Sequence, residues 1–268
     1  MKKLKYREMK NLVVIIPMHE FGKDNIELLN KAVESIPEGI RAILSVKKGI
    51  DSRKLKGVSE RLEIFSESDG DSFAELVNTA VNNIDEKWFS ILEFDDTYTS
   101  IWETNAKKYI EFMPDISVFM CLEDITDFNN GKYIGFGNGE AWASSFSNEI
   151  GYIDNDCLQN YFDFYLTGSI FNTADWREVG GLKPQLKLTF WYEWLLRLTN
   201  KGKKVFVIPK VGYNHALNRK NSLVEIYRNA MSKEEIDFNF DVAKREYFFH
   251  PSVERDPSKF EYKPNTEE

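Results

Sequence analysis

Cysteine is scarce in this 268-residue chain: Cys121 and Cys157 are the only two, and they lack CxxC spacing. Two such thiols supply neither a disulfide framework nor a thiolate zinc site, and a reducing, cytoplasmic setting fits them. Basic charge is also short, since 35 Lys and Arg face 43 Asp and Glu for a formal net charge of −8. Beyond the first ten residues no long basic run offsets that balance, which argues against general nucleic-acid binding through the phosphate backbone. Long apolar runs are missing as well. The basic opening at residues 1–7 leads only into the short run 12–18 and then His19-Glu20, too short and too soon polar for a signal peptide or an integral membrane segment. Internal repeats and low-complexity blocks are absent.

What remains is an ordinary globular composition, 42% hydrophobic and 29% charged. Residues 11–16 form an apolar, β-branched run closed by Pro17, which reads as a buried central strand. Asp24 can cap a helix through about Ser35, with Ile26, Leu29, Ala32, Val33 and Ile36 on one stripe and a break at Pro37-Glu38-Gly39. Strands follow at 40–46 and, more weakly, at 61–65, and a helical repeat begins at Phe73. Residues 88–94 make another strand ended by Asp95-Asp96, followed by a helix over 101–113 and a strand over 116–122. The Gly-, Asn- and aromatic-rich stretch 128–165 predicts a hairpin and loops. Helical character returns at 186–200, a strand at 204–208 is closed by Pro209, and one or two amphipathic helices follow Ser222 before a frayed last dozen residues. Repeated β-α alternation predicts an α/β, Rossmann-like fold, a mainly parallel central sheet flanked by helices, with its ligand site beyond the carboxyl ends of the strands.

The chemistry concentrates at Glu93-Phe94-Asp95-Asp96, where a hydrophobic strand ends. Side chains alternate along a strand, so Glu93 and Asp95 share a face while Asp96 enters the loop. Paired carboxylates there can hold a hard divalent ion, which in turn holds a diphosphate. A solvated acidic helix cap is the plainer alternative.

At this point the chain resembles the family-2 glycosyltransferases with the GT-A, nucleotide-sugar-binding fold. Val13-Val14-Ile15-Ile16-Pro17 opens the likeness, and Ser68-Asp69-Gly70-Asp71-Ser72-Phe73-Ala74 with Asn78 looks like the family's Gly-x-Ser-x-Ala-x-x-x-Asn segment. Ile91-Leu92-Glu93-Phe94-Asp95-Asp96 looks like its Asp-x-Asp motif; Gly168-Ser169-Ile170-Phe171, Glu178-Val179-Gly180-Gly181-Leu182 and Trp194-Leu195-Leu196-Arg197-Leu198 resemble its acceptor-side elements in order. The resemblance implies a catalytic domain over 11–222, divided into a nucleotide-sugar half (11–122) and an acceptor half (123–222). A basic tail (1–10) precedes it, and a C-terminal helical extension and tail (223–268) follows. Asp95 would contact metal and diphosphate, and Glu93 or Asp96 would bind metal or donor ribose. Asp69, Ser72 and Asn78, with the loop after Pro17 that carries His19 and Glu20, would flank the nucleotide. His215 resembles the late histidine that completes metal coordination, although a lone His is as well explained as a structural imidazole. Arg219, Lys220 and Ser222 would follow on a mobile loop covering the diphosphate. Mn²⁺ or Mg²⁺ would be the cofactor.

The chain departs from the family in three places. Glu93 stands where Asp is usual, and Lys47-Lys48-Gly49-Ile50-Asp51 where a pair of aspartates helps read the base. Phe190-Trp191 occupies the place of the acidic pair that supplies the general base, which leaves Glu193 and Asp175 as candidates. Glu193 is equally a helix N-terminal acid favoured by the dipole. Gly135-Phe136-Gly137-Asn138-Gly139 lacks the helix and Lys-Ser/Thr of a phosphate loop and reads better as a hairpin. Trp142, Trp176, Trp191 and Trp194 could stack on a sugar or simply pack a core.

The expectation is a metal-dependent, inverting glycosyltransferase that moves a sugar from a nucleotide diphosphate-sugar, a UDP-sugar first among them, to an acceptor hydroxyl. A glycan, a protein, a small molecule or a modified nucleobase could be the acceptor. A catalytically degenerate binding or structural protein with the same fold is the alternative. A nucleotidyltransferase ranks lower, because 18–23 is not the Gly-rich basic loop such enzymes place after the first strand.

Overall fold

The first strand, β1 (Leu12–Pro17), buries all six of its residues because the sheet is covered on both faces. The structure, a computed structural model, describes residues 11–146 and 149–248; the basic stretch 1–10 and the tail expected to fray lie outside them. Helix α1 (Lys23–Ser35) buries Ile26, Leu29, Ala32 and Val33. Its cap is Gly22, with no side-chain bond, rather than Asp24, which sits in the first turn where the helix dipole favours it. Next come β2 (Arg41–Lys47), β3 (Leu62–Ser68) and α2 (Phe73–Asn82). Ser72 and Glu75 close α2 with a reciprocal capping box. Along β1, Val13 and Ile15 pack with Phe73 and Val77 of α2, whereas Leu12, Val14 and Ile16 pack with Leu29 and Val33 of α1. The two helices therefore cover opposite faces.

The chain continues through β4 (Trp88–Ile91), β5 (Thr97–Tyr98), α3 (Trp102–Phe112), β6 (Val118–Asp127), β7 (Tyr133–Gly137), β8 (Tyr152–Ile153) and α4 (Asn155–Asn160). It ends with β9 (Ile170–Asn172), α5 (Thr173–Val179), α6 (Phe190–Asn200), β10 (Val205–Leu217), α7 (Leu223–Ala230) and α8 (Lys233–Phe248). Among the described residues the sheet has ten strands in the order β3-β2-β1-β4-β9-β6-β10-β5, with β7 on β6 and β8 on β10. Pairs β2–β3, β1–β2, β1–β4 and β6–β10 are parallel, and β9 runs antiparallel between β4 and β6. Several boundaries differ from the sequence reading, among them β6, which runs to Asp127 rather than ending at 122. The strand ending in the acidic motif stops at Ile91, and β10 runs on through Pro209 to Leu217. Register shifts between Ile208 and Val211, and again between Val211 and Tyr213, absorb the proline's missing N–H. Cys121 and Cys157 are buried thiols, and no described helix is long and apolar enough to cross a membrane.

Candidate functional site

Four segments bring charged groups together at the carboxyl edge of the sheet. The loop after β4 supplies Glu93, Asp95 and Asp96; β6 supplies Glu123; β10 supplies Tyr213 and His215 and leads to Arg219; the loop after β1 supplies His19 and Glu20. Parallel pairing sets Tyr213 beside Glu123 and His215 beside Ile125. Asp96 is 4% exposed, and its Oδ1 accepts the Ala216 N–H at 2.8 Å. His215 Nδ1 lies 3.3 Å from Asp96 Oδ2 and 3.7 Å from Glu123 Oε2. These are ion-pair distances without hydrogen-bond alignment: His215 Nδ1 and both Glu123 oxygens are buried with no hydrogen-bond partner.

Crowding of like charge out of water dominates the electrostatics. Burial, then Asp96 and Asp95, push the Glu93 carboxyl up to about 8. Burial and Asp96 also raise Asp95, and burial drives Glu123 well above the usual carboxylate range. Burial alone would lower His215, but Asp96, Glu123 and Glu93 outweigh it and push the imidazole up to about 10. The Glu93 backbone N–H donates to Tyr213 Oη at 3.1 Å, which ties the acidic loop to β10. Arg219 closes the edge. Its Nε donates to Asp95 Oδ2, its Nη1 donates to Glu20 Oε2 at 3.2 Å, and its guanidinium lies 4.8 Å over the Phe94 ring. His19 Nε2 is 3.4 Å from Glu20, and burial holds the imidazole below its ordinary value.

The other residues singled out in the sequence are placed differently. Asp69 is exposed, and Ser72 spends its hydroxyl on the α2 cap. Both ends of the Asn78 amide hold Leu182: Nδ2 donates to its carbonyl at 2.7 Å and Oδ1 accepts its N–H at 2.9 Å. Glu193 is 1% exposed and paired with Lys183 at 2.7 Å and Arg197 at 2.8 Å. Asp175 follows β9, whose Asn172 end lies beside Trp88 at the amino end of β4, so the fold sets it at the edge opposite Asp95, where it pairs with Lys203 at 2.6 Å. Phe190 stacks on Phe73 at 5.5 Å and Trp191 on Phe171 at 5.9 Å, so aromatic packing fills the place of the family's acidic pair. Trp176 and Trp194 are core residues, each 1% exposed, while Trp142 remains partly exposed and donates to the Val207 carbonyl. The 135–139 run is the end of β7 and a short turn. There Asn138, in the left-handed region at φ 67°, clamps Cys121 and Tyr165 with its amide.

Glu123 was missed in the sequence. Its signal was available, since Leu122-Glu123-Asp124 follows an apolar run as Leu92-Glu93 does, but no motif drew attention to it.

Oxygen donors with one imidazole suit a hard divalent ion chemically. Their arrangement does not: among the described residues no group of three or more His, Cys, Asp or Glu is placed to hold a metal. Arg219 occupies Asp95, and the backbone of Ala216 and the His215 ring occupy Asp96.

No family model matches the chain, and no curated protein matches it in sequence. Solved structures do match in shape. S. aureus TarS 1–349 in complex with UDP-GlcNAc aligns with a TM-score of 0.61 at 13% identity, over 87% of this chain and 65% of that one. The mannosyltransferase PcManGT from Pyrobaculum calidifontis, in complex with GDP-Man and Mn²⁺, gives 0.62 at 13% identity, over 88% and 64%. The fold is the GT-A glycosyltransferase fold. TarS 1–349 in complex with UDP gives a TM-score of 0.56 at 14% identity, over 88% of this chain and 70% of that one. This chain thus spans a little under two thirds of the first TarS structure and of the mannosyltransferase, and what it shares with these GT-A structures is the path of the backbone.

Proposed function

We propose that this chain binds a nucleoside diphosphate-sugar, with a UDP-sugar the first candidate, and transfers the sugar to an acceptor hydroxyl by direct displacement with inversion. The observation that carries the reading is the meeting of Asp95, Asp96, His215 and Arg219 at the carboxyl edge of a GT-A sheet, the crevice where α/β sheets take ligands. The likeness to structures that hold UDP-GlcNAc, UDP and GDP-Man supports it. A departing diphosphate needs positive charge aimed at it. Arg219 supplies positive charge at this site, and its planar fork can exchange the carboxylates of Asp95 and Glu20 for phosphate oxygens without leaving its place. The Mn²⁺ or Mg²⁺ expected from the sequence is supported by the mannosyltransferase structure with Mn²⁺. In this chain such an ion requires Arg219 to release Asp95, and nothing in the transfer as proposed depends on it. Glu193 is held by Lys183 and Arg197 and Asp175 by Lys203, so neither is assigned as base; the sugar–phosphate bond breaks as the hydroxyl oxygen attacks, and the hydroxyl proton passes to the departing diphosphate or to water. The acceptor is a glycan, a protein, a small molecule or a modified nucleobase, met in the cytoplasm.

A second reading, donor binding without transfer, is favoured by one observation, the aromatic packing of Phe190 and Trp191 where the family keeps its acidic pair. A thermal-shift panel of nucleoside diphosphates and their sugars, followed by assay of nucleotide release for whichever sugar binds, separates the two. Transfer predicts a shift for one nucleotide, lost in Arg219→Ala without added divalent ion, together with release that the same substitution sharply lowers. A shift without release supports the second reading, and no shift for any nucleotide overturns both.

A further inference from the structure

The lysines that stand where the family reads its base belong to a larger group. Within 47–56 the chain carries Lys47, Lys48, Arg53, Lys54 and Lys56 against the single carboxylate Asp51, in a protein of formal charge −8. The fold folds this stretch back along the first turns of α1. Asn30 Nδ2 donates to the Gly57 carbonyl at 2.9 Å, and the Ser59 N–H donates to Asn30 Oδ1 at 3.0 Å. Between the two segments lies a cleft of about 460 Å³, walled by Phe21 and Ile26 and ringed by Lys23, Arg53, Lys54 and Lys56. That volume falls within the range of small-molecule sites, which run from about 300 to 1,000 Å³.

Charge decides what fits. Glu27 also lines the cleft, 3.9 Å from Lys23, and Arg53 is held by Asp51 at 2.6 Å. Lys54 and Lys56 have no ion-pair partner among the described residues, so the unbalanced charge in the cleft is positive. The cleft adjoins the donor edge through the loop after β1 but shares none of its charged side chains: Glu20, Asp95, Asp96, His215 and Arg219 do not line it.

We propose that this cleft is a second anion site, which takes an organic phosphate of about nucleotide size: phosphates on Lys54, Lys56 and Arg53, and the ring or other apolar part on Phe21 and Ile26. The phosphate comes either from a free nucleotide or sugar phosphate, or from the phosphodiester chain of an acceptor.

The test is a titration of the intact chain with inorganic pyrophosphate and, separately, with a short oligothymidylate. Wild type is compared with the Lys54→Glu, Lys56→Glu double variant and with Arg219→Gln. The expected result is a binding event that survives in Arg219→Gln, is weakened at least about tenfold by the double reversal, and is reduced by added salt. Preference for pyrophosphate assigns the site to a small phosphate, and preference for the oligonucleotide to a phosphodiester chain. Equal affinity in wild type and the double variant overturns the proposal, as does loss confined to Arg219→Gln, which would put the anion in the donor site. Nucleotide-sugar binding is read independently by thermal shift, so failure here leaves the donor reading standing.

Discussion

Two buried carboxylates, Glu193 and Glu123, occupy opposite extremes of satisfaction. Glu193 receives both arms of the Arg197 fork, at 3.0 and 2.8 Å, and the Lys183 ammonium at 2.7 Å; Arg197 in turn donates to the carbonyls of Val179 and Gly181. Glu123 is 0% exposed, makes no hydrogen bond and faces His215 from 3.7 Å. A buried carboxylate met by three cationic N–H contacts is fixed in place and serves the packing of α6 against the Gly180-Gly181 turn. One that is buried unmet keeps a local debt of solvation that an incoming group can relieve, and such groups gather at sites.

The largest test of this contrast is Arg197→Met. It takes the guanidinium away from the buried Glu193 carboxylate and is expected to cost about 3–5 kcal/mol, lowering Tm by roughly 10 °C. An unchanged melting curve would show that the pair is not structural. Arg219→Ala comes next, with an expected loss of turnover of about 10²–10³ and a smaller drop in Tm than Arg197→Met, because Asp95 and Glu20 keep more access to water than Glu193. Divalent ions sharpen the same experiment: Mn²⁺ should add little to nucleotide affinity in wild type and more in Arg219→Ala, where Asp95 is vacated. Strict Mn²⁺ dependence in wild type would contradict the arrangement seen here. Asn78→Ala removes both bonds to Leu182 and is expected to cost about 1–3 kcal/mol, with nucleotide-induced stabilisation retained. Loss of nucleotide binding at constant stability would move Asn78 from scaffold to site.

A slope with pH is expected as well. Glu93 titrates at about 8 in the folded chain against an ordinary 4.5, so the native state keeps a proton that the unfolded chain releases. That stabilisation is whole below about 4.5 and is lost as pH rises through about 8. His215, raised from 6.5 to about 10, acts in the same direction over a higher window. Urea midpoints measured from pH 5 to 9 should therefore fall, and Glu93→Gln should flatten the lower part of the decline. A midpoint that rises with pH would refute the crowding.

The β1, β2 and α2 segments were legible because a short apolar run and the helical repeat that begins at Phe73 are local, and the acidic edge was legible through its motifs. What escaped was non-local. Nothing near Pro209 announces that β10 continues past it, since the register shifts that admit the proline depend on β6. Arg197 stands four residues from Glu193 and could be paired with it by helical spacing, but Lys183 comes from the preceding loop. Lys23 joins Lys54 and Lys56 only after α1 and the 50–58 segment have packed together.

Every bond that closes the acidic edge spans a long stretch of chain: Glu93 to Tyr213 and Asp96 to Ala216 bridge 120 residues, Asp95 to Arg219 bridges 124, and Glu20 to Arg219 bridges 199. Contacts of that range form only after the intervening loop has closed, at an entropic cost that rises with its length. During synthesis or refolding, β1 through β4 can therefore assemble with their carboxylates turned to water, and the edge becomes a site only when β10 docks. Ligand competence should then be the last property a refolding chain regains and the first that a mild denaturant removes.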